Sequence, residues 1–426
     1  MFGAASPLGR GCATMRICLL VVFLIGELTV GAIARAEDRI PDVATPFPYG
    51  RPPIDYEDES SADPIAQLSK KLDARQVRLK HEPSRGYLRS LLRALDISVE
   101  SQVLVYSKTS LNRKLISPKT PRAIYFNDQT YVSWTPGSQA LEISTVDPQK
   151  GGMFYTMPQT PEQPAKFVRA KNCLTCHVTT NTLQVPGHLA RSFFTDHRGE
   201  PLNGRSLINH DSPLIKRWGG WYVTGDHGAQ PHMGNVIGAD AAREFRKDPL
   251  LHGNINDLSS FFDVQLYLTP HSDIVALMVM EHQTYLQNLL TRLNYETRLE
   301  RESTVEEFLL RYLFFIDEPP LTEEVLGDSG FTGAFEFNGP EDSHGRSLRQ
   351  FDLNTRLFKY RLSYQIYTPA FQQLPAAAKA RLYKRIWKVL SGEEPGQDFQ
   401  KIPLAERKAI LEILRETIPD LPAYFR

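Results

Sequence analysis

Hydrophobic spacing changes character twice along this chain. Two short helices are predicted at about 63–75 and 85–95; in the second, Tyr87-Leu88 and Leu91-Leu92 recur at helical spacing. From Val103 the period becomes two. Short β-branched and aromatic runs at 103–106, 123–126, 131–134, 141–144 and 153–155 are punctuated by Asn127-Asp128, Pro136-Gly137 and Gly151-Gly152. That spacing predicts an antiparallel sheet of about five strands within 97–157. A loop-rich stretch comes next at about 165–240, and the remainder reads as helical at 239–247, 271–298, 303–315, 375–391 and 404–417. In the longest of these, Met278, His282, Tyr285, Leu289 and Leu293 make one apolar stripe. A glycine-rich stretch from Gly327 to Gly345 divides the helical part. The expected class is α+β, with an antiparallel sheet in the N-terminal part and a largely helical C-terminal part.

The first 36 residues read as a signal peptide. Arg16 precedes nine apolar residues, Ile17 to Ile25, and Ala34-Arg35-Ala36 has the form of a signal-peptidase site. The run is short for a membrane span, and Glu27 lies just beyond it. The mature chain is therefore expected to be exported, periplasmic or beyond, with no membrane span. Residues 37–96 form a proline-rich leader and then the two short helices. Then come a β subdomain at 97–160, a segment at 161–254 that carries the chemistry, and a helical region at 255–426.

Composition adds exclusions. With 49 basic and 49 acidic residues among 426, the formal net charge is zero, so nothing points to nucleic acid as a partner. A 41% hydrophobic content fits a folded chain with a large core. Of four cysteines, Cys12 and Cys18 fall in the signal segment, which leaves Cys173 and Cys176, with His177 immediately after them. A disulfide closing so small a loop would remove little unfolded-state entropy. A thioredoxin-like pair lacks its βαβ context, and the next histidines, His188 and His197, miss zinc-finger spacing. C-x-x-C-H in an exported chain is the attachment motif for a single covalent haem c, in which each thiol adds to a vinyl group and the adjacent histidine binds the iron.

The chain also resembles a family of exported bacterial proteins described only as cytochrome c domain-containing. The likeness runs from about Gly86 to Gly392 through 101–111, 121–128, Cys173 to His177, 185–189, 217–225, 232–235 and 272–278. It implies a covalent haem c and electron transfer, and says little of a substrate or of the redox partner.

On the distal side of such a haem, Met233 is the first candidate, flanked by Pro231 and Gly234 in a loop that can present a thioether. His227 and His232 share that loop, and His282 is a further alternative that more often would be a hydrogen-bonded core residue. Met153, Met157, Met278 and Met280 are minor candidates, and His188 lies too near His177 in sequence to reach the opposite face. Arg217, Trp218, Trp221 and Tyr222 are candidate haem contacts, with Arg191 and Arg205 weaker partners for propionates. Two function classes remain open: an electron carrier with both axial positions filled, which is favoured, and a haem enzyme or ligand sensor with an open face. No paired carboxylates at catalytic spacing support the second.

Overall fold

The computed structural model describes Val43 and residues 45–161, 165–202, 204, 206–251, 253–393 and 396–426, so the expected signal segment and Arg205 lie outside the described residues. From Val43 onward the chain forms one unit. Its strands are β1 (Val103–Val105), β2 (Arg122–Phe126), β3 (Thr130–Trp134), β4 (Ala140–Asp147), β5 (Gly151–Pro158), β6 (Val168–Arg169), β7 (Arg191–Ser192), β8 (Ser206–Leu207) and β9 (Trp221–Tyr222). Seven make an antiparallel sheet in the order β6-β5-β4-β3-β2-β1-β9, while β7 and β8 pair separately. The five predicted strands are its centre. Two-residue β6 and β9, too short to carry a period, close its edges.

Alternation along these strands feeds two cores, because successive side chains leave opposite faces. Val103, Val105, Ile124, Phe126, Tyr131 and Trp221 enter one cluster with the C-terminal helices. Leu104, Tyr106, Ala123, Tyr125, Val132 and Tyr222 enter the other. That second face is covered by α1 (Pro64–Asp73) and α2 (Leu88–Ala94). The expected leader is built in where it is described: Phe47 and Ile54 are buried with Val185 and Tyr295.

The later helices are α3 (Leu174–His177), α4 (Ala239–Lys247), α5 (Ile274–Arg298), α6 (Glu306–Leu313), α7 (Phe331–Phe337), α8 (Pro369–Gln372), α9 (Ala376–Ser391) and α10 (Leu404–Thr417). Helix α7 falls within the glycine-rich stretch expected only to divide the helical part. None of the helices described is long and apolar enough to cross a membrane.

Helix α5 departs furthest from the expected stripe. It is buried around its whole circumference from Ile274 to Glu296, so its polar residues are interior as well. Most of them find partners by reaching out to neighbouring segments. Gln283 and Gln287 donate to the carbonyls of Asn127 and Asp128, at the β2–β3 turn, and Asn294 donates to Pro148 before β5. Glu281 accepts from Arg217 and, at 3.1 Å, from the Trp218 indole. Replacing Glu281 with alanine would leave the Arg217 guanidinium, only 4% exposed, without its counter-charge. Loss of such a partner costs about 3–5 kcal/mol. Urea unfolding is expected to show a lower midpoint at unchanged slope, with a much smaller loss when Arg217 and Glu281 are replaced together by apolar residues.

Candidate haem attachment site

Beyond β6 a single 3₁₀ turn, Lys171–Cys173, runs directly into α3, so both cysteines and His177 share two consecutive turns. Cys173 is half-buried, Cys176 is exposed, and both thiols are free. Burial pushes the Cys173 thiol up to about 11, which makes it a poor thiolate nucleophile and argues against a dithiol redox centre.

His177 is held from both ends. Its Nδ1 lies 2.8 Å from the carbonyl of Gly187, and Gly187 returns its own N–H to the His177 carbonyl at 3.0 Å. A carbonyl can only accept, so the proton sits on Nδ1 and the lone pair on Nε2. Burial lowers the pKa of His177 to about 4, against the pull of the Gly187 bond and with Arg191 and Arg122 adding to the effect. The imidazole is therefore neutral at pH 7, in the tautomer and protonation state a metal takes. Its ring packs on Phe154 of β5, centroids 4.6 Å apart.

The loop that orients His177 is itself pinned to both layers of the fold. Pro186 accepts from Gly152 at the start of β5. Asn288 of α5 clamps His188, its Oδ1 accepting the His188 N–H and its Nδ2 donating to the His188 carbonyl, each at 2.8 Å. Only glycine fits at 187, since a Cβ there would run into the Asn288 carboxamide. His188 is 6% exposed, and neither ring nitrogen has a partner. Phe154 also faces His188, at 5.9 Å, so both imidazoles pack against the same ring.

The distal candidates are engaged elsewhere. Met233 accepts from the Ser192 hydroxyl at 3.6 Å and packs against the cluster of Phe194, Val236, Ala242 and Phe245. His282 is wholly buried, with Nδ1 at 2.6 Å from Nδ1 of His210 and Nε2 at 2.8 Å from the Ser363 hydroxyl. His232 accepts the Gly234 N–H on Nδ1, which leaves a proton rather than a lone pair on Nε2. His227 is buried, without a hydrogen bond to either ring nitrogen, and lines a cavity of about 240 Å³. Among the described residues, no hydrogen bond or ring contact joins Met233, His227 or His282 to His177. Met153 and Met157 belong to the opposite face of the sheet, and Met278 and Met280 are core.

The expected haem contacts divide in the same way. Arg217 gives its donors to Glu281, Ser212 and His210, and Trp218 gives its own to Glu281. Tyr222 leaves the other face and donates to Pro118. Trp221 shares the α5 face with Val105, and its indole donates to the carbonyl of Arg191. Asp342, His344 and Glu416 could form a separate metal cluster, but Asp342 is already committed to Arg346. Nothing in the 185–189 string signals, in the sequence alone, its role as the clamp on His177. The partner that fixes it, Asn288, is a hundred residues away and carries no local signal.

No family model matches the chain, and neither a curated protein nor a solved structure matches it.

Converting Asn288 to alanine removes both hydrogen bonds to the loop and leaves two buried backbone groups unmet, at about 1–3 kcal/mol each. The expected result is a lower unfolding midpoint, together with loss of hydrogen-exchange protection at the Gly187 amide. Loss of stability with full protection retained there would show that the clamp does not hold the loop.

Proposed function

We propose that this is an exported haem c protein that carries one covalently attached haem and passes single electrons by an outer-sphere route. The observation that carries this reading is the state of His177: neutral, with Nδ1–H donated to Gly187 and Nε2 left for a metal, directly after two free thiols, one half-buried and one exposed. The residues fit the group. Cys173 and Cys176 would take its vinyl carbons and His177 its iron. When bound, the haem supplies a one-electron couple whose potential depends on its axial ligands and surroundings. The chain's own part is to hold the axial imidazole rigid through Gly187 and Asn288, to keep it unprotonated by burial, and to line the site with Phe154 and Trp221. Cys176 is exposed, which supports an attachment at the surface with an edge turned to a partner protein.

One observation favours the second reading, a haem enzyme or ligand sensor. Met233, His232 and His282 have their lone pairs or hydrogen bonds committed away from His177, which supports an iron with one open face.

Expression in a host competent for haem c maturation separates these readings. Haem stain should persist through denaturing electrophoresis and fall away in Cys176→Ala; unmodified protein without covalent haem would end the proposal. Rapid carbon monoxide binding by the reduced protein would favour the open site, whereas a methionine-type charge-transfer band lost in Met233→Ala would favour the carrier.

A further inference from the structure

Buried polar atoms without partners gather at one place beside His177. Arg122 opens β2 and pairs with Val105, which in turn pairs with Trp221, so these three form one row on the face toward α5. Thr135 comes directly after Trp134, the partner of Ala123, and so stands opposite Arg122 on that same face. The Nε of Arg122 and the hydroxyl of Thr135 are both buried, and neither has a hydrogen-bond partner. Native interiors leave few such atoms unmet, and two neighbours on one row point to a missing ligand.

The charges of the wall define the ligand. Arg122 has one carboxylate nearby, Glu142 of β4, but at a loose 3.4 Å. Glu142 is also served by the Asn112 N–H at 3.0 Å, so it does not depend on the guanidinium alone. Burial disfavours the charge on Arg122, and Glu142 only partly offsets this. A second carboxylate would satisfy the idle Nε–H and the hydroxyl together, since buried carboxylates seek charge-assisted donors. The His177 ring packs on Phe154 of β5, and Phe154 shares its sheet face with Thr156 and with Glu142, the residue paired to Thr156, which puts this wall beside the attachment motif.

We infer that Arg122 and Thr135, with Glu142 beside them, form the carboxylate-binding wall of the haem site and receive a haem propionate. This rests on the haem reading above. It assigns to the sheet, rather than to Arg217 or Arg191, the recognition of the acidic edge of the group.

The test uses the matured protein and two readouts, the reduction potential and the propionate bands of the resonance Raman spectrum. Removing a positive charge favours the ferric state, so Arg122→Gln should lower the potential. Glu142→Gln should raise it. A tenfold change in the redox equilibrium, about 59 mV for one electron, is the expected scale. Arg122→Lys should recover most of the shift. The propionate bands should move in Arg122→Gln and in Thr135→Val. A merely structural role would not give opposite signs in the two charge variants. If Arg122→Gln fails to fold, Glu142→Gln and Thr135→Val carry the test. Unmoved potentials and bands in variants that retain haem would overturn the inference while leaving the haem reading intact. Absence of covalent haem from the unmutated protein would remove both.

Discussion

Everything near the site depends on a helix that cannot turn any face to water. Helix α5 is enclosed for more than six turns yet carries Glu281, His282, Gln283, Gln287, Asn288, Arg292, Asn294 and Glu296 inside the core. Each of these must find a partner or cost the fold a desolvated polar group. Gln283, Gln287, Asn288, Arg292 and Asn294 donate to backbone carbonyls of loops and turns: Asn127, Asp128 and Pro148 around the sheet, and Leu183 and His188 in the stretch after the attachment motif. Glu281, His282 and Glu296 take side-chain partners instead, Arg217 and Trp218, His210 and Ser363, and Ser303 and Thr304. The helix therefore acts as a ruler against which irregular segments are set. Apolar packing alone would position such loops loosely, because it has no direction. Hydrogen bonds from a rigid rod fix them in both place and orientation.

This explains how a histidine on a four-residue helix can be held firmly. Helix α3 is too short to be stable by itself, and neither cysteine is buried deeply. Rigidity reaches His177 from behind: α5 grips His188, Gly152 grips Pro186, and Gly187 between them grips the imidazole. The same burial that allows this grip removes the proton from Nε2 at neutral pH. Orientation and protonation state are two outcomes of one packing arrangement.

The sequence made local features legible and hid the long-range ones. Strand alternation at 103–155 was readable because each residue's face is set by its own position, and the helix at 404–417 was readable from its period. Edge strands β6 and β9 have two residues each, and pairing rather than pattern creates them. Periodicity showed α5 only as one apolar stripe through Met278, His282, Tyr285, Leu289 and Leu293; Gln287 and Asn288 are buried too, and their partners are supplied by segments well over a hundred and a hundred residues away. At the site, C-x-x-C-H is written in five consecutive letters, so the pattern is visible in the sequence. Gly187, Asn288, Arg122 and Thr135 acquire roles only when the sheet and α5 bring them beside it. The aromatic string from Arg217 to Tyr222 looked like a haem cover for the same reason: its chemistry was visible, but not that Glu281 would take its donors.

Lone pairs, more than distance along the chain, decide what could complete a metal centre here. A neutral imidazole has one, and a backbone N–H that already occupies it, as at His232, turns the other nitrogen into a donor. His282 has a neighbour on both nitrogens, one of them the Nδ1 of a second imidazole, so freeing it would leave Ser363 and His210 buried with a bond unmade. Met233 offers the cheapest release, since a hydroxyl-to-thioether contact at 3.6 Å is weak and methionine is flexible. Its loop, however, is stitched to the core by Met233 N–H to Arg217 and Asn235 N–H to Trp221, and Arg217 in turn is locked to Glu281. Moving that sulfur to an iron on His177 would have to leave these anchors intact or break them. The residues that could complete a metal centre are thus tied to the same rod that holds His177, and a ligand from solvent would face no such cost.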